Sequence, residues 1–342
     1  MIKAPEIKLT GIVLAGFLLF LLGSCRTIPT PVDLPPPPPS PTPRVITPPP
    51  PPSPTPEMEE IVLPFDPAEP LEMEILVHSD KTGNNQIYVL DCATGEMRRL
   101  AESTACDSYP SWSPDGERIV FTSDRDGRRE IYLVNADGTG LRRLTDNPGA
   151  DTFPVWSPDN RSVVYFSERD GVDNLRKFDT VDGVDRPLTE FPEGSGGSIA
   201  FSPDGRRVIF GYDRLGRYKL YQLEIASGEP REIITHALRE SRMTLIDDPE
   251  GPALLYSSGQ AGQDDIWLSY IEDGRFLNIT RDAAPDHSPT VSPDGRAVVF
   301  SSRRNGESWQ LYLVSRSGRP ANNRVIRITD DEFNYRYPHV RR

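Results

Sequence analysis

"SWSPDGERIVF", residues 111–121, sets a Trp before a Ser-Pro-Asp-Gly turn and follows it with an apolar run. The turn chemistry is simple: Pro pre-sets φ at one central position, and Gly accepts dihedrals that other residues resist. The phrase returns as "VWSPDNRSVVYF" at 155–166, "AFSPDGRRVIF" at 200–210 and "TVSPDGRAVVF" at 290–300. The turn prolines Pro114, Pro158, Pro203, Pro249 and Pro293 stand 44, 45, 46 and 44 residues apart, and a further step of 44 back reaches Pro70. Each repeat but one carries a second apolar block with an aromatic: "IYVL" at 87–90, "IYLV" at 131–134, "LYQL" at 220–223, "IWLS" at 266–269 and "LYLV" at 311–314. The repeat of Pro158 departs from this, with Arg176 in "LRKF".

Punctuation within residues 108–145 marks four short strands, "YPSWS", "RIVFTS", "EIYLVN" and "LRRLT", separated by "PDG", "DRDGRR" and "ADGTG". No segment keeps helical spacing. Unbroken apolar runs rich in β-branched and aromatic residues suit strands buried on both faces. Four strands in a repeat of roughly 40–45 residues is the pattern of a propeller blade. The fold class expected is therefore all-β, a six-bladed β-propeller with four-stranded antiparallel blades. The first repeat holds three strands over 75–101 and no inner one, while "YRYPHV" near the carboxyl end matches "DSYPSW" with Pro338 in place of Pro110. The carboxyl-terminal strand is thus expected to join the first blade and close the ring.

The segment ahead of the repeats is of another kind. Lys3 and Lys8 precede the apolar run 11–22, "GIVLAGFLLFLL", which at 12 residues falls short of the roughly 20 that span a bilayer. A basic start, a short apolar middle and small residues before the cut read as an export signal over 1–24. Its end, "LGSC", resembles the lipobox of bacterial lipoproteins, which makes Cys25 the lipidated first residue of the mature chain; an ordinary signal peptide or short anchor is the alternative. Residues 29–57 hold 16 of the 36 prolines. Polyproline II rises about 3.1 Å per residue, so this stretch reaches roughly 90 Å and reads as a stalk rather than a core. Domain limits follow: signal 1–24, stalk and lead-in 25–69, propeller 70–342. Cys92 and Cys106 sit at opposite ends of strands about 17 Å apart, beyond the 7 Å that a disulfide spans.

"DSYPSWSPDGERIVFTSDRDGRREIYLVNADGTGLRRLT", residues 107–145, resembles the repeat of the TolB-type, WD-like propellers. The likeness covers nearly everything after residue 70 and is weakest at "LIDDPEGPALLY", where the Trp and Ser are replaced. The member that gives the family its name carries an additional α/β domain before the propeller, for which this chain is expected to have no room. The resemblance therefore implies the propeller and leaves the family's partners open. Some TolB-like propellers resemble metal-dependent lyases of acidic sugars, and others precede a serine-peptidase domain. The latter needs a Gly-x-Ser-x-Gly elbow, and "EGSGGS" at 193–198 does not fit that spacing.

Loops held by a rigid scaffold carry ligand sites, and in a ring the entry ends of the inner strands and the second-to-third-strand loops share one mouth. That mouth is expected to hold Asp107, Asp151, Arg242, Asp286, His287 and Arg336, beside loop residues such as Arg125, Arg169 and Arg303. Asp107, Asp151 and Asp286 recur in regular blades, the pattern of residues that cap their own backbone. His287, Arg242, Arg336 and "EGSGGS" are specific to one blade each and carry the functional expectation. For metal chemistry His287 matches Ser108 whereas His339 matches Ser111, a difference of about 10 Å in depth, too far for one ion. Neither a catalytic set, a metal site nor a cofactor is expected.

The chain carries a net charge of −13 and no basic stripe interleaved with aromatics, which disfavours nucleic acid. An acidic domain stays soluble and is repelled by anionic lipid, in keeping with a stalk that holds it at a distance. The reading is a monomeric lipoprotein facing the periplasm or cell exterior, anchored through lipid on Cys25. It acts as a non-catalytic module for an envelope protein or a cell-wall glycan. The alternative is a propeller-fold lyase or hydrolase of carbohydrate or lactone substrates.

Overall fold

The computed structural model of the chain describes residues 72–233, 242–259, 262–281, 283–316 and 325–341. The export signal, Cys25 and the stalk up to residue 69 lie outside the described residues. The described residues form six four-stranded antiparallel sheets arranged as a closed propeller. In blade two the strands run from inner to outer as Asp107–Trp112, Arg118–Ser123, Glu130–Asn135 and Arg142–Arg143.

The recurrent turn is a small hydrogen-bonded unit. Ser113 Oγ donates to Asp115 Oδ1 at 2.5 Å and accepts from the Arg118 N–H at 2.9 Å, while the Glu117 N–H donates to Asp115 Oδ1 at 3.0 Å. Gly116 adopts φ 71°, a region costly for residues with a Cβ. The Ser–Asp bond repeats at Ser157–Asp159, Ser202–Asp204 and Ser292–Asp294. Asn160 takes the glycine position at φ 60°, one of the few other residues suited to it. Blade five lacks the motif, and there the inner strand continues until Asp248 pairs with Gly251.

Each blade packs both faces on its neighbours. Ile119 and Phe121 lie with Leu76 and Val89 of blade one, whereas Val120, between them, lies with Trp156 and Val163 of blade three. This is why the runs are continuously apolar, and a core of the same kind fills each of the six seams. Full burial of one such side chain is worth about 1.5–3 kcal/mol.

The ring closes between the two ends of the propeller. Tyr335–Arg341 lies antiparallel to Glu74–Ser79, with Ile75 opposite Val340, Leu76 opposite His339 and His78 opposite Arg336. Tyr335 is fully buried among Ile75, Val77, Leu311 and Leu313, and its Oη donates to Asp331 at 2.6 Å. Arg341 Nη1 donates to the Gly116 carbonyl at 2.8 Å and so reaches into blade two.

The inner strands share a bulge. Ser111 pairs with Val120 and Ser108 with Thr122, so Tyr109 and Pro110 together oppose Phe121. Tyr109, Phe153, Ser288 and Tyr337 all sit at φ 53–56°, and a proline follows each. Pro has no N–H to give the ladder, and the bulge turns the preceding side chain out of the sheet. Three aromatics thereby meet: Tyr109 lies 4.0 Å from Phe153 and 4.8 Å from Tyr337, ring to ring. His78 packs 5.2 Å from Tyr337, and its Nδ1 accepts from the Tyr109 N–H at 3.4 Å. Burial, with Arg336 and Arg242 acting in the same sense and Asp80 against them, holds the His78 imidazole down at about 3.

Two tests follow. Tyr335→Ala empties the closing seam and should cost about 3–5 kcal/mol, lowering Tm by roughly 10 °C. Tyr335→Phe keeps the ring and should cost about 1 kcal/mol; an unchanged Tm for Tyr335→Ala would mean the strand does not close the ring. His78 stays neutral in the folded protein while the unfolded chain protonates below about 6.5. Its contribution is therefore present above that pH and is lost as pH falls toward 3, by up to about 1.4 kcal/mol per unit. Urea unfolding between pH 7 and 4 should show a shallower decline for His78→Gln than for wild type. The comparison isolates the imidazole from Asp151, whose raised carboxyl works in the opposite sense; parallel curves would refute the assignment.

Candidate functional site

A cavity lies at the face of the Ser-Pro-Asp-Gly turns, opposite the mouth expected to face a ligand. It measures about 340 Å³ and is lined by Trp112, Trp156, Phe201, Leu245 and Val340, with Arg242 and His339 among its polar groups. Placement of Arg242 corrects the expectation that set it at the entry mouth beside Asp107. Leu245 pairs with Leu254 across nine positions where Trp112 pairs with Ile119 across seven, so blade five carries two extra residues in its first hairpin. Arg242 consequently falls at the level of Tyr109, not Asp107. It extends over the channel and donates through Nη2 to the Pro110 carbonyl of blade two, the blade opposite. Burial brings its guanidinium down to about 10. His339 Nδ1 accepts from the Trp112 N–H at 2.9 Å, and burial, then the Arg242 charge, holds the imidazole well below its ordinary range. Arg242, Tyr109, Phe153 and Tyr337 line a small void of about 20 Å³.

At the other face the three aspartates lie beneath the surface. Asp107 is 1% exposed and accepts from Arg125 Nη2 at 3.1 and 2.9 Å; Asp286 is 0% exposed and accepts from Arg304 Nη2 at 2.9 Å on each oxygen. Asp151, equally buried, accepts from Asn147 Nδ2 at 2.5 Å, and burial pushes its carboxyl up to about 6. Their backbone N–H groups donate to Asn85, Arg129 and Asp264 carbonyls of the preceding blades at 2.7–2.8 Å. These residues pin each inner strand to its own blade and to its neighbour.

Two of the blade-specific residues, His287 and Arg336, meet at Trp309. His287 Nε2 lies 3.1 Å from Asp264 Oδ2, and its ring packs edge-on to Trp309 at 4.6 Å. The Arg303 and Arg336 guanidinium carbons lie 4.9 and 5.1 Å from the centre of the same indole. The backbone beneath Trp309 is itself held: the Trp309 backbone N–H donates to Asn334 Oδ1 at 3.0 Å, and Asn334 donates from N and Nδ2 to the Asp80 carboxylate at 2.8 and 2.6 Å. Burial and the nearby Arg303 charge lower the Arg336 pKa. Arg336 arrives on the closing strand, Arg303 and Trp309 come from blade six and Asp80 from blade one. The cluster therefore straddles the closing seam. Sequence reading missed Trp309 and Asp264; an aromatic immediately before a third strand, in "GESWQLYLV", was the available signal.

Other candidates resolve into structure. In "EGSGGS", Gly196 donates to Asp173 Oδ2 at 2.9 Å, and a Cβ there would run into the Phe166 ring. The glycine is a packing requirement. Cys92 and Cys106 are both free thiols, and burial pushes Cys92 up to about 12. Among the described residues no three His, Cys, Asp or Glu side chains converge as a metal site, and no helix is long and apolar enough to cross a membrane.

Residues 81–222 match the Tricorn protease N-terminal beta propeller domain and residues 185–339 the TolB beta propeller domain. Uncharacterized protein Atu1656 of Agrobacterium fabrum is 35% identical over 139 residues, 40% of this chain and 45% of that protein. Tricorn protease homolog 1 of Streptomyces coelicolor is 30% identical over 83 residues, 22% of this chain and 8% of its own length. The chain thus matches less than half the length of these curated relatives. TolB from Acinetobacter baumannii superposes with a TM-score of 0.65 at 21% identity, covering 80% of this chain and 67% of that one. A putative TolB from Agrobacterium tumefaciens gives 0.60 at 20%, covering 79% and 98%. At these identities the structural likeness speaks for the fold. With the repeat, the six closed blades and the domain match in agreement, the propeller of this chain is TolB-like.

Proposed function

We propose that the chain is an exported, lipid-anchored recognition module without catalytic activity. The lipid on Cys25 holds it to the membrane, the proline-rich stalk sets it at a distance, and the partner is an envelope protein or a wall glycan. One observation carries this reading. The groups with catalytic potential, His78, His287, His339, Asp107 and Asp286, are each engaged with a protein partner, whereas Arg303 and Arg336 stand exposed over Trp309. Side chains committed in this way serve architecture, and exposed cations on a fixed aromatic serve binding. The peptidase named among the relatives matches over 8% of its length only, so its activity does not carry over to this chain.

Cys25→Ser should abolish incorporation of a labelled fatty acid and move the protein from the membrane to the soluble fraction; persistent labelling would overturn the anchor. Affinity capture from detergent-solubilised envelopes should recover a component with wild type that Arg303→Ala/Arg336→Ala fails to recover. Turnover of a polyuronate or peptide substrate by the pure protein would replace the module reading with the enzymatic one.

A further inference from the structure

We infer that Arg303 and Arg336 form a clasp for the carboxylate of an acidic segment in a protein partner. This inference rests on the reading of the chain as a recognition module and names the chemistry of its ligand. Two guanidinium groups converge on one indole, and among the described residues neither has a carboxylate within ion-pair distance. Like charges so placed repel, and burial together with the Arg303 charge lowers the Arg336 pKa. Other arginines of this acidic chain are paired with carboxylates, Arg143 with Glu130 at 2.7 Å, Arg161 with Asp179 at 2.7 Å and Arg275 with Glu250 at 2.6 Å. At the mouth the nearby carboxylates are hydrogen-bonded to other groups, Asp80 to Asn334 and Asp264 to His287, and Asp80 offsets the burial and the Arg303 charge on Arg336 only in part. The site thus presents two forks of N–H donors on a rigid aromatic base, which fits the two oxygens of a carboxylate.

The aromatic decides between a sugar and a peptide. A glycan would stack a ring on an open indole face, but Trp309 is 7% exposed, with the two guanidiniums and His287 gathered about it. What remains accessible is charge and not apolar surface. Arginines buttressed by a buried tryptophan are the composition of a protein-interface hot spot, and a ring of neutral contacts around them would exclude water. The seam supports the clasp: Trp309 is fixed through Asn334 and Asp80, so the guanidiniums are preorganised before a ligand arrives.

The test uses the full-length protein in detergent and a fluorescent peptide ending in five glutamates, followed by anisotropy at low salt. Wild type should bind this peptide roughly tenfold more tightly than Arg303→Gln/Arg336→Gln does. A five-glutamine peptide should bind roughly tenfold more weakly to wild type. Arg206→Gln/Arg231→Gln removes the same charge from exposed positions away from this mouth and should leave affinity within about twofold. Tm of each double variant, within about 2 °C of wild type, confirms folding. Equal affinity of wild type and Arg303→Gln/Arg336→Gln, an equal loss in the control pair, or no glutamate-peptide binding at all overturns the clasp. So does binding of an oligogalacturonate that depends on the two arginines when the peptide does not bind. If the peptide fails while envelope capture still depends on Arg303 and Arg336, the carboxylate assignment falls and the module stands.

Discussion

The antiparallel pairing of Tyr335–Arg341 with Glu74–Ser79 holds the ring together, and the rest of the structure depends on it. It joins residues 254 positions apart, as in the bond from the Asn334 N–H to Asp80. Closing a loop of that length costs about 5 kcal/mol plus a constant in chain entropy. The offset comes from a ladder, a buried Tyr335 and a seam core that has no other source of apolar cover. An open ring would leave the inner face of blade one as an unpaired sheet edge, with Leu313 and Val77 in water. Closure also sets geometry. Blades one and six are set against each other when the last strand, running on from blade six, pairs into the sheet of blade one.

A second constraint works within each blade. The inner strand faces the channel and has no partner there, so it can accept a proline and a bulge that a central strand could not. A left-handed residue before that proline costs about 1–2 kcal/mol. In return, the bulged side chain is turned into the lumen. Three of these side chains are aromatic and a fourth position is taken by Arg242, so the channel is filled from within by the same device that shapes its wall. The two faces of the ring differ in character. A cavity rich in Trp and Phe lies at the turn face, and a charged mouth lies at the other.

The distribution of charge over these faces follows from burial. Carboxylates at the start of the inner strands are sunk below the surface, where only a fixed arginine or amide makes them tolerable. Histidines in the channel are kept neutral by the same burial and by neighbouring guanidiniums. Arg303 and Arg336 are tolerated without an ion-paired carboxylate because each rides on the face of an indole and is exposed at the rim, which offsets part of their mutual repulsion. In a chain of net charge −13 they form a local positive feature set by the closing seam.

Blade number, strand order and closure were readable because each rests on local chemistry repeated at one period. A Ser-Pro-Asp-Gly turn needs only its own residues to form, and an apolar run of five needs only two covered faces. Repetition made that signal plain, and Pro338 standing for Pro110 showed which strand was missing from the first blade. Where the repeat broke, the reading failed: two residues added to the first hairpin of blade five moved Arg242 from the rim to the lumen, since register depends on pairing and not on the position of a proline. The aspartates could be seen as recurrent, yet their burial is a property of packed neighbours. Trp309, Arg303 and Arg336 lie in different strands and loops, and no spacing along the chain relates them. Local hydrogen bonding and hydrophobic pattern dictated the blade. The meeting of side chains at the mouth was decided by the angle at which six blades close, a quantity that exists only once the first and last strands have paired.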